Sequence, residues 1–131
     1  MISPKNILEI GTFTGYAALC LAEGLQKDGK LTTLDVNEDL AYIPKKYFAE
    51  SEFASQIEFR LENALDFLKN SSETFDLIFI DADKENYPEY LQLVKPRMKS
   101  GSVLMIDNVL WYGKVLDEKG NKQTEQIKLV N

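Results

Sequence analysis

Short apolar runs alternate along this chain with segments in which apolar residues recur every three or four positions. The runs predict β-strands and the intervening segments predict helices, in the order β-α-β-α-β-α-β-α-β. The first, fourth and fifth runs are continuously apolar, which is typical of strands buried in a parallel sheet. The third run alternates apolar and polar residues, so we expect it at an edge of the sheet. The predicted strands comprise residues 7–10, 31–36, 57–61, 75–80 and 103–106.

Glycine and proline suggest where three of the helices begin or end. The first helix is expected to stop at Gly29, and in the last helix Pro88 suits the first turn while Gly101 lies beyond the end. Pro44 interrupts the second helical segment, so that helix either has a kinked first turn or begins at Pro44. The predicted apolar faces are Ala18, Leu21, Ala22 and Leu25 in the first helix, and Leu91, Val94 and Met98 in the last.

Consecutive β-α-β units with right-handed crossovers predict an α/β fold. We expect a Rossmann-like, doubly wound three-layer α/β/α sandwich with a mostly parallel sheet of about five strands. A chain of 131 residues, 44% of them hydrophobic, suits one domain with its own core. From Gly113 the sequence turns polar, so residues 1–112 are expected to form the core, followed by a polar loop and the start of an incomplete helix over 113–131.

Composition narrows the classes of partner and compartment. A net charge of −6 and a pI near 4.7 argue against nucleic acid or an anionic membrane as partner, because phosphate binding relies on clustered Lys and Arg. No apolar stretch approaches the ~20 residues of a membrane span. The single cysteine, Cys20, excludes an internal disulfide and fits a reducing cytoplasm.

The chain contains no histidine. Nucleophile systems of the Ser-His-Asp and Cys-His type are therefore excluded, as are the usual zinc sites. Acid–base chemistry must fall to Asp, Glu, Lys or Tyr. A metal site would have to be built from oxygen ligands, which favours a hard cation such as magnesium.

Acidic or amide side chains stand where predicted strands end. They are Glu9, Asp35, Asp81 and the pair Asp107 and Asn108. In an open α/β sheet the carboxyl ends of the strands line the crevice in which ligands bind. The recurrence of polar groups there predicts a small-molecule site that contains a cation.

The first strand and the first helix are joined by a glycine turn, Gly11-Thr-Phe-Thr-Gly15. A dinucleotide fingerprint would have glycine where Phe13 stands, because the backbone must approach a pyrophosphate at that position. Phe13 therefore disfavours NAD. A carboxylate at the end of the second strand, Asp35, can accept hydrogen bonds from both ribose hydroxyls, which implies a nucleoside. NAD and S-adenosylmethionine both meet that requirement.

Three long segments, ILEIGTFTGYAALCLA, DADKENYPEY and MIDNVLWYGKV, resemble the cation-dependent O-methyltransferases of the catechol and caffeoyl-coenzyme A type. The resemblance implies a class I S-adenosylmethionine-dependent methyltransferase core. It also implies Mg²⁺ or another hard divalent cation, and methyl transfer to a hydroxyl of a catechol-like or caffeoyl-type aromatic acceptor.

The same resemblance assigns roles to individual residues. Lys84 would be the general base, and Asp81 would act beside it in catalysis. Asp83, two residues after Asp81, could simply cap the following helix. Trp111 and Tyr112 either border the acceptor or cover the end of the sheet. The implied metal ligands are Asp81, Asp107 and Asn108; the implied cofactor residues are Glu9, Gly11, Thr12, Ala17, Asp35, Asn63 and Ala64.

The chain departs from the family pattern in places. Ala17 stands where serine is frequent, and Asn63 lies in Glu-Asn-Ala, where Gly-Asp-Ala is common. The family's extra N-terminal helices and last two strands are expected to be missing, which would expose the fifth strand and favour a homodimer or other self-association. Two alternatives stay open: a truncated, inactive cofactor-binding remnant or interaction module, and, less favoured, an NAD-dependent oxidoreductase.

Overall fold

The computed structural model of the protein describes residues 3–81 and 84–107; for Lys84 the description covers the backbone. Asp83, Asn108, Trp111, Tyr112 and the predicted polar segment 113–131 therefore lie outside the described residues. The strands are β1 (Asn6–Ile10), β2 (Lys30–Asp35), β3 (Ile57–Leu61), β4 (Phe75–Ile80) and β5 (Met98–Ile106). The helices are α1 (Tyr16–Glu23), α2 (Tyr42–Glu50), α3 (Ala64–Asn70) and α4 (Tyr87–Val94), with 3₁₀ turns at Lys84–Asn86 and Lys95–Arg97.

The strands form one sheet in the order β3-β2-β1-β4-β5, and every neighbouring pair is parallel. The chain moves outward from β1 to β3 and then returns to the other side of β1 with β4. This confirms the doubly wound α/β prediction, including the position of β3 at an edge. The point where the order reverses lies between β1 and β4, which is where such sheets bind ligands.

Buried side chains cover both faces of the sheet, so the three-layer prediction also holds. Leu8 and Ile10 of β1 pack in a cluster with residues of α3 and α4. Ile7, which points to the opposite face, packs with Ala18 and Ala22 of α1 and with Phe48 of α2. Alternate residues of one central strand thus support two separate layers of helices. No helix among the described residues has the length and apolar character needed to cross a membrane.

The ends of two helices differ from the sequence predictions. α1 ends at Glu23 rather than at Gly29, because the Gly24 N–H already closes the last turn on the Leu21 carbonyl at 3.1 Å. Gly29 instead forms the tight entry to β2, where an added Cβ would lie 2.9 Å from the Lys5 carbonyl oxygen.

Met98 opens β5 rather than ending α4. α4 stops at Val94, and the 3₁₀ turn that follows contains Pro96, which has no N–H to continue the helix. Met98 still packs against the same buried cluster, which explains its misleading helical spacing. Gly101 lies within β5, at a φ of 91° and beside a shift in register with β4.

α2 begins at Tyr42, two residues before Pro44. The proline thus occupies the first turn, where a backbone N–H has no intrahelical acceptor to lose.

Candidate cofactor and metal site

The turn between β1 and α1 is shaped by three residues in the left-handed region of backbone space. Gly11 and Gly15 have φ values of 103° and 91°, and Phe13, unusually for a residue with a side chain, has a φ of 52°. An added Cβ on Gly11 would lie 2.0 Å from the backbone oxygen of Asp81. The turn therefore lies directly against the end of β4, and only glycine fits there.

The carboxylate of Asp35 anchors this turn. Its Oδ2 accepts a hydrogen bond of 2.8 Å from the Phe13 N–H, and its Oδ1 accepts bonds of 2.7 and 3.2 Å from the N–H groups of Val36 and Asn37. Each carboxylate oxygen offers about two lone-pair positions, so Oδ1 is fully used by its two bonds and Oδ2 keeps one free position. Asp35 can therefore organise the turn and still receive a hydroxyl donor from a ligand through Oδ2.

A pocket of about 310 Å³ opens beside Asp35, within the size range of small-molecule sites. It is bordered by four residues that the sequence analysis assigned to the cofactor: Gly11, Asp35, Asn63 and Ala64. It is also bordered by residues that the sequence analysis did not assign. Phe13 and Val36 could have been inferred from their positions beside Gly11 and Asp35 in the sequence. Asn86 and Tyr90 come from a distant part of the chain and are brought to the pocket by the fold.

Asn63 has a structural role at the edge of this pocket. It is the N-cap of α3, and its Oδ1 accepts hydrogen bonds of 2.9 and 3.2 Å from the N–H groups of Leu65 and Asp66. The cap uses the amide oxygen and leaves the NH₂ group available as a donor. An asparagine that precedes a helical segment is a recognisable cap signal, which the sequence analysis did not use.

Glu9 is fully buried on β1 and is held by two threonines. The hydroxyl of Thr33 donates to Glu9 Oε1 at 2.5 Å, and the hydroxyls of Thr12 and Thr33 lie 2.8 Å apart. Glu9 Oε2 is buried and has no hydrogen-bond partner among the described residues. Burial raises the pKa of Glu9 to about 7; the Thr33 hydrogen bond opposes this rise, and the charges of Asp81 and Asp35 add to it.

Asp81 and Asp107 stand side by side at the ends of neighbouring strands. Ile80 of β4 pairs with Ile106 of β5, and each aspartate is the next residue along. Their backbones continue the sheet, since the Asp81 N–H donates to the Ile10 carbonyl at 2.9 Å and the Asp107 N–H donates to the Ile80 carbonyl at 3.0 Å. The sequence prediction that these carboxylates follow adjacent strands is therefore matched by the geometry.

The remaining predicted residues are less informative. Glu9, Thr12 and Ala17 do not border the pocket; Glu9 and Thr12 are buried, and Ala17 lies in the first turn of α1. Lys84 begins the 3₁₀ turn that follows Asp81, and Asn108 lies outside the described residues. Within residues 3–81 and 84–107, no group of three or more His, Cys, Asp or Glu forms a cluster that could hold a metal ion.

Comparison with known proteins adds independent information. The sequence profile of a family described as O-methyltransferase matches residues 1–131. The chain is 39% identical over 126 residues to a catechol O-methyltransferase of Niastella koreensis, which covers 93% of this chain and 57% of the relative. It is 37% identical over 122 residues to caffeoyl-CoA O-methyltransferase 5 of Nicotiana tabacum, covering 88% of this chain and 51% of the relative.

A solved structure shows the same fold. The O-methyltransferase from Bacillus cereus, crystallised in complex with S-adenosylhomocysteine, is 36% identical and gives a TM-score of 0.88 over 97% of this chain and 60% of that one. The chain thus spans between 51% and 60% of the length of these three proteins. Since the profile matches the chain from end to end, and relatives and fold agree with it, the protein belongs to the O-methyltransferase family.

Proposed function

We propose that this chain binds S-adenosylmethionine and transfers its methyl group to a hydroxyl of a catechol-like or caffeoyl-type aromatic molecule, with the help of a divalent cation. The observation that carries the proposal is that the pocket for the cofactor lies next to the carboxylates proposed to bind the cation. A nucleoside-sized pocket beside Asp35 and the carboxylate pair Asp81 and Asp107 meet where Gly11 contacts the backbone of Asp81. Cofactor and acceptor must meet at such a point for in-line transfer.

The described residues fit the cofactor in four respects. Asp35 keeps one acceptor position, on Oδ2, for a ribose hydroxyl, and the pocket also has apolar walls, from Ile10 and Leu34, against which adenine can pack. Gly11 provides close backbone approach without a side chain. The buried carboxyl of Glu9, whose Oε2 has no partner within residues 3–81 and 84–107, would supply an acceptor for the ammonium group of the methionine part.

The chain itself argues against a dinucleotide. An added Cβ on Gly11 would lie 3.0 Å from Cε2 of Phe13, so the phenyl ring lies close to the first glycine of the turn. A pyrophosphate needs open backbone at the position of Phe13. We therefore infer that S-adenosylmethionine, which has no pyrophosphate, is the cofactor class, and that an NAD-dependent oxidoreductase is the weaker alternative.

The donor set suits a hard cation. Asp81 and Asp107 would hold it together with Asn108, all through oxygen atoms, and the chain has no histidine to favour a softer metal. Such a cation would supply Lewis acidity at the acceptor hydroxyl. The two aspartates would orient the acceptor through it, and Lys84 would take the hydroxyl proton as the neutral amine.

The direct test is methyl transfer to catechol and to caffeoyl-coenzyme A, with magnesium and with excess chelator. We expect transfer only with the metal. Equal rates in both conditions would contradict the metal assignment. Binding of S-adenosylhomocysteine without any transfer would instead favour a cofactor-binding module that has no catalytic role. Calorimetry in which NAD binds more tightly than S-adenosylmethionine would overturn the cofactor assignment.

Two further assignments belong to this proposal. We place the activity in the cytoplasm, because Cys20 is exposed and is the only cysteine of the chain. We also take residues 1–112 as the S-adenosylmethionine-binding core, since the candidate residues all fall within it.

A further inference from the structure

A buried chain of hydrogen bonds lies next to the glycine turn and joins Glu9, Thr33 and Thr12. Glu9 and Thr33 are register partners on the neighbouring strands β1 and β2, and Thr12 follows β1 in the turn. Their exposed fractions are 0%, 0% and 2%. Such a set of polar groups inside a core is costly unless each member is satisfied, so its arrangement calls for a function.

The direction of the hydrogen bonds follows from counting protons. Each threonine hydroxyl has one proton to donate. Thr33 donates its proton to Glu9 Oε1, so the Thr33 oxygen must accept the proton of Thr12. The series therefore runs one way, from Thr12 through Thr33 to Glu9, and fixes the Oε1 atom of the carboxyl.

Among the residues that the structure describes, the other carboxyl oxygen has no hydrogen-bond partner. Glu9 Oε2 is buried, and the charged groups of the described residues that act on Glu9 are the carboxylates of Asp81 and Asp35. A buried acceptor among negative charges is suited to a cationic donor. Of the two cationic groups of S-adenosylmethionine, the ammonium can donate hydrogen bonds, whereas the sulfonium cannot.

We propose that Thr33, supported by Thr12, is a positioning residue that directs the free oxygen of Glu9 toward the ammonium group of bound S-adenosylmethionine. This inference rests on the proposed cofactor, and it assigns a role in ligand recognition to a residue that does not border the pocket. Thr33 acts through Glu9 and makes no contact with the reacting atoms.

The test compares two ligands that differ in the amino acid part. S-adenosylhomocysteine carries the ammonium group, and 5′-methylthioadenosine keeps the adenosine and the thioether but lacks it. Calorimetry at pH 8 measures both affinities for the wild type, Thr33→Val and Thr33→Ser. Thr32→Val is the matched control, because Thr32 is equally buried on the same strand and its hydroxyl has no partner among the described residues.

Thr33→Val should weaken S-adenosylhomocysteine binding by about tenfold, the effect of losing one hydrogen bond to a charged group. Its affinity for 5′-methylthioadenosine should stay within about twofold of the wild type. Thr33→Ser should restore binding, and Thr32→Val should change neither affinity. Equal weakening for both ligands would show a merely structural role and overturn the proposal, as would no weakening for either.

A double-mutant cycle separates action through Glu9 from any other effect. In a Glu9→Gln background, Thr33→Val should cost S-adenosylhomocysteine affinity little, because the charge that it directs is gone. An undiminished loss there would overturn the proposal. If Thr33→Val does not fold, Thr12→Val must show the same ligand selectivity at smaller size, and equal losses for both ligands would again contradict it. A wild type that binds neither ligand would refute the cofactor assignment itself.

Discussion

The backbone N–H of Phe13 donates a 2.8 Å hydrogen bond to Oδ2 of Asp35, across 22 positions of sequence. This bond connects the glycine turn to the end of β2 and accompanies the left-handed conformation of Phe13, which has a φ of 52°. The residue that we propose as the ribose ligand therefore also shapes the turn under the cofactor. Its two roles can be separated by substitution.

Asp35→Ala should weaken S-adenosylhomocysteine binding by about 2–3 kcal/mol, since it removes the proposed charge-assisted hydrogen bond to the ribose as well as the anchor of the turn. Asp35→Asn keeps one oxygen acceptor for the Phe13 N–H and should lose less. Calorimetry on both variants measures the difference. Equal losses would indicate that the Phe13 contact does not matter for binding.

Gly11→Ala should unfold or strongly destabilise the chain, by about 3 kcal/mol or more. The new Cβ would lie 2.0 Å from the backbone oxygen of Asp81, at a φ of 103° that disfavours any side chain. Gly24→Ala is the control, because Gly24 has an ordinary φ of −88° and its added Cβ would approach the nearest atom at 3.6 Å. Chemical denaturation should show little change, or a small gain, for Gly24→Ala.

The stability of the chain without ligand should fall as pH rises from about 4.5 to about 7. The pKa of Glu9 is raised to about 7 from its ordinary value of 4.5, so across this window the folded chain keeps a proton that the unfolded chain releases. By linkage, the loss should be of the order of 3 kcal/mol and should be complete above the higher value.

Denaturant unfolding at pH 5 and pH 8 checks this, with Glu9→Gln as the comparison. The amide does not titrate, so the variant should lose the part of the pH dependence that comes from this carboxyl. Asp28 and Asp76, whose pKa values are lowered, change the free energy of unfolding only as pH falls to about 4 and below. Parallel pH profiles for the two proteins would contradict the assignment to Glu9.

Asp81→Ala and Asp107→Ala should each abolish magnesium-dependent methyl transfer while leaving S-adenosylhomocysteine affinity within about twofold, because each removes a proposed ligand of the cation. Asp39→Ala, an exposed aspartate in the loop after β2, should leave the rate unchanged. Methyl transfer assays over a magnesium titration measure both effects. A variant whose full rate returns at high magnesium would have an affinity defect, and full activity without either aspartate would refute the metal site.

Lys84→Ala should lower the rate of transfer more than the affinity for magnesium, because its proposed role is to accept a proton. The same titration separates the two quantities. A loss of metal affinity with an unchanged maximal rate would assign Lys84 to metal binding instead.

The sequence predicted the fold well because strand burial leaves a strong pattern. The mostly apolar sequences of β1 and β4 and the alternation in β3 follow directly from their positions in the sheet. Met98 has the spacing of a residue of α4 although it opens β5, because a residue just after a helix can pack on the same core as the helix itself. Gly29 does not end α1 because the nearer Gly24 closes the helix, and spacing alone does not choose between two glycines.

The residues of the candidate site that directly follow a strand could be predicted from the sequence. The contacts that depend on which residues of neighbouring strands lie opposite each other could not. Asp35, Asp81 and Asp107 stand out as polar residues after apolar runs. Thr33 looks like any threonine within a strand, and its bond to Glu9 follows only from which residue of β1 lies opposite it. Phe13 was noted as a departure from a glycine pattern, but its contact with Asp35 depends on the folded turn.

The close approach of Gly11 to the Asp81 backbone has a consequence for how the two halves of the site respond to each other. A displacement of the turn by an incoming cofactor would press on the strand end that carries Asp81, the proposed cation ligand, because Gly11 has no side chain between its backbone and that of Asp81. The two binding equilibria should then be thermodynamically coupled. Whatever factor magnesium contributes to the affinity for S-adenosylmethionine, the cofactor must contribute equally to the affinity for magnesium.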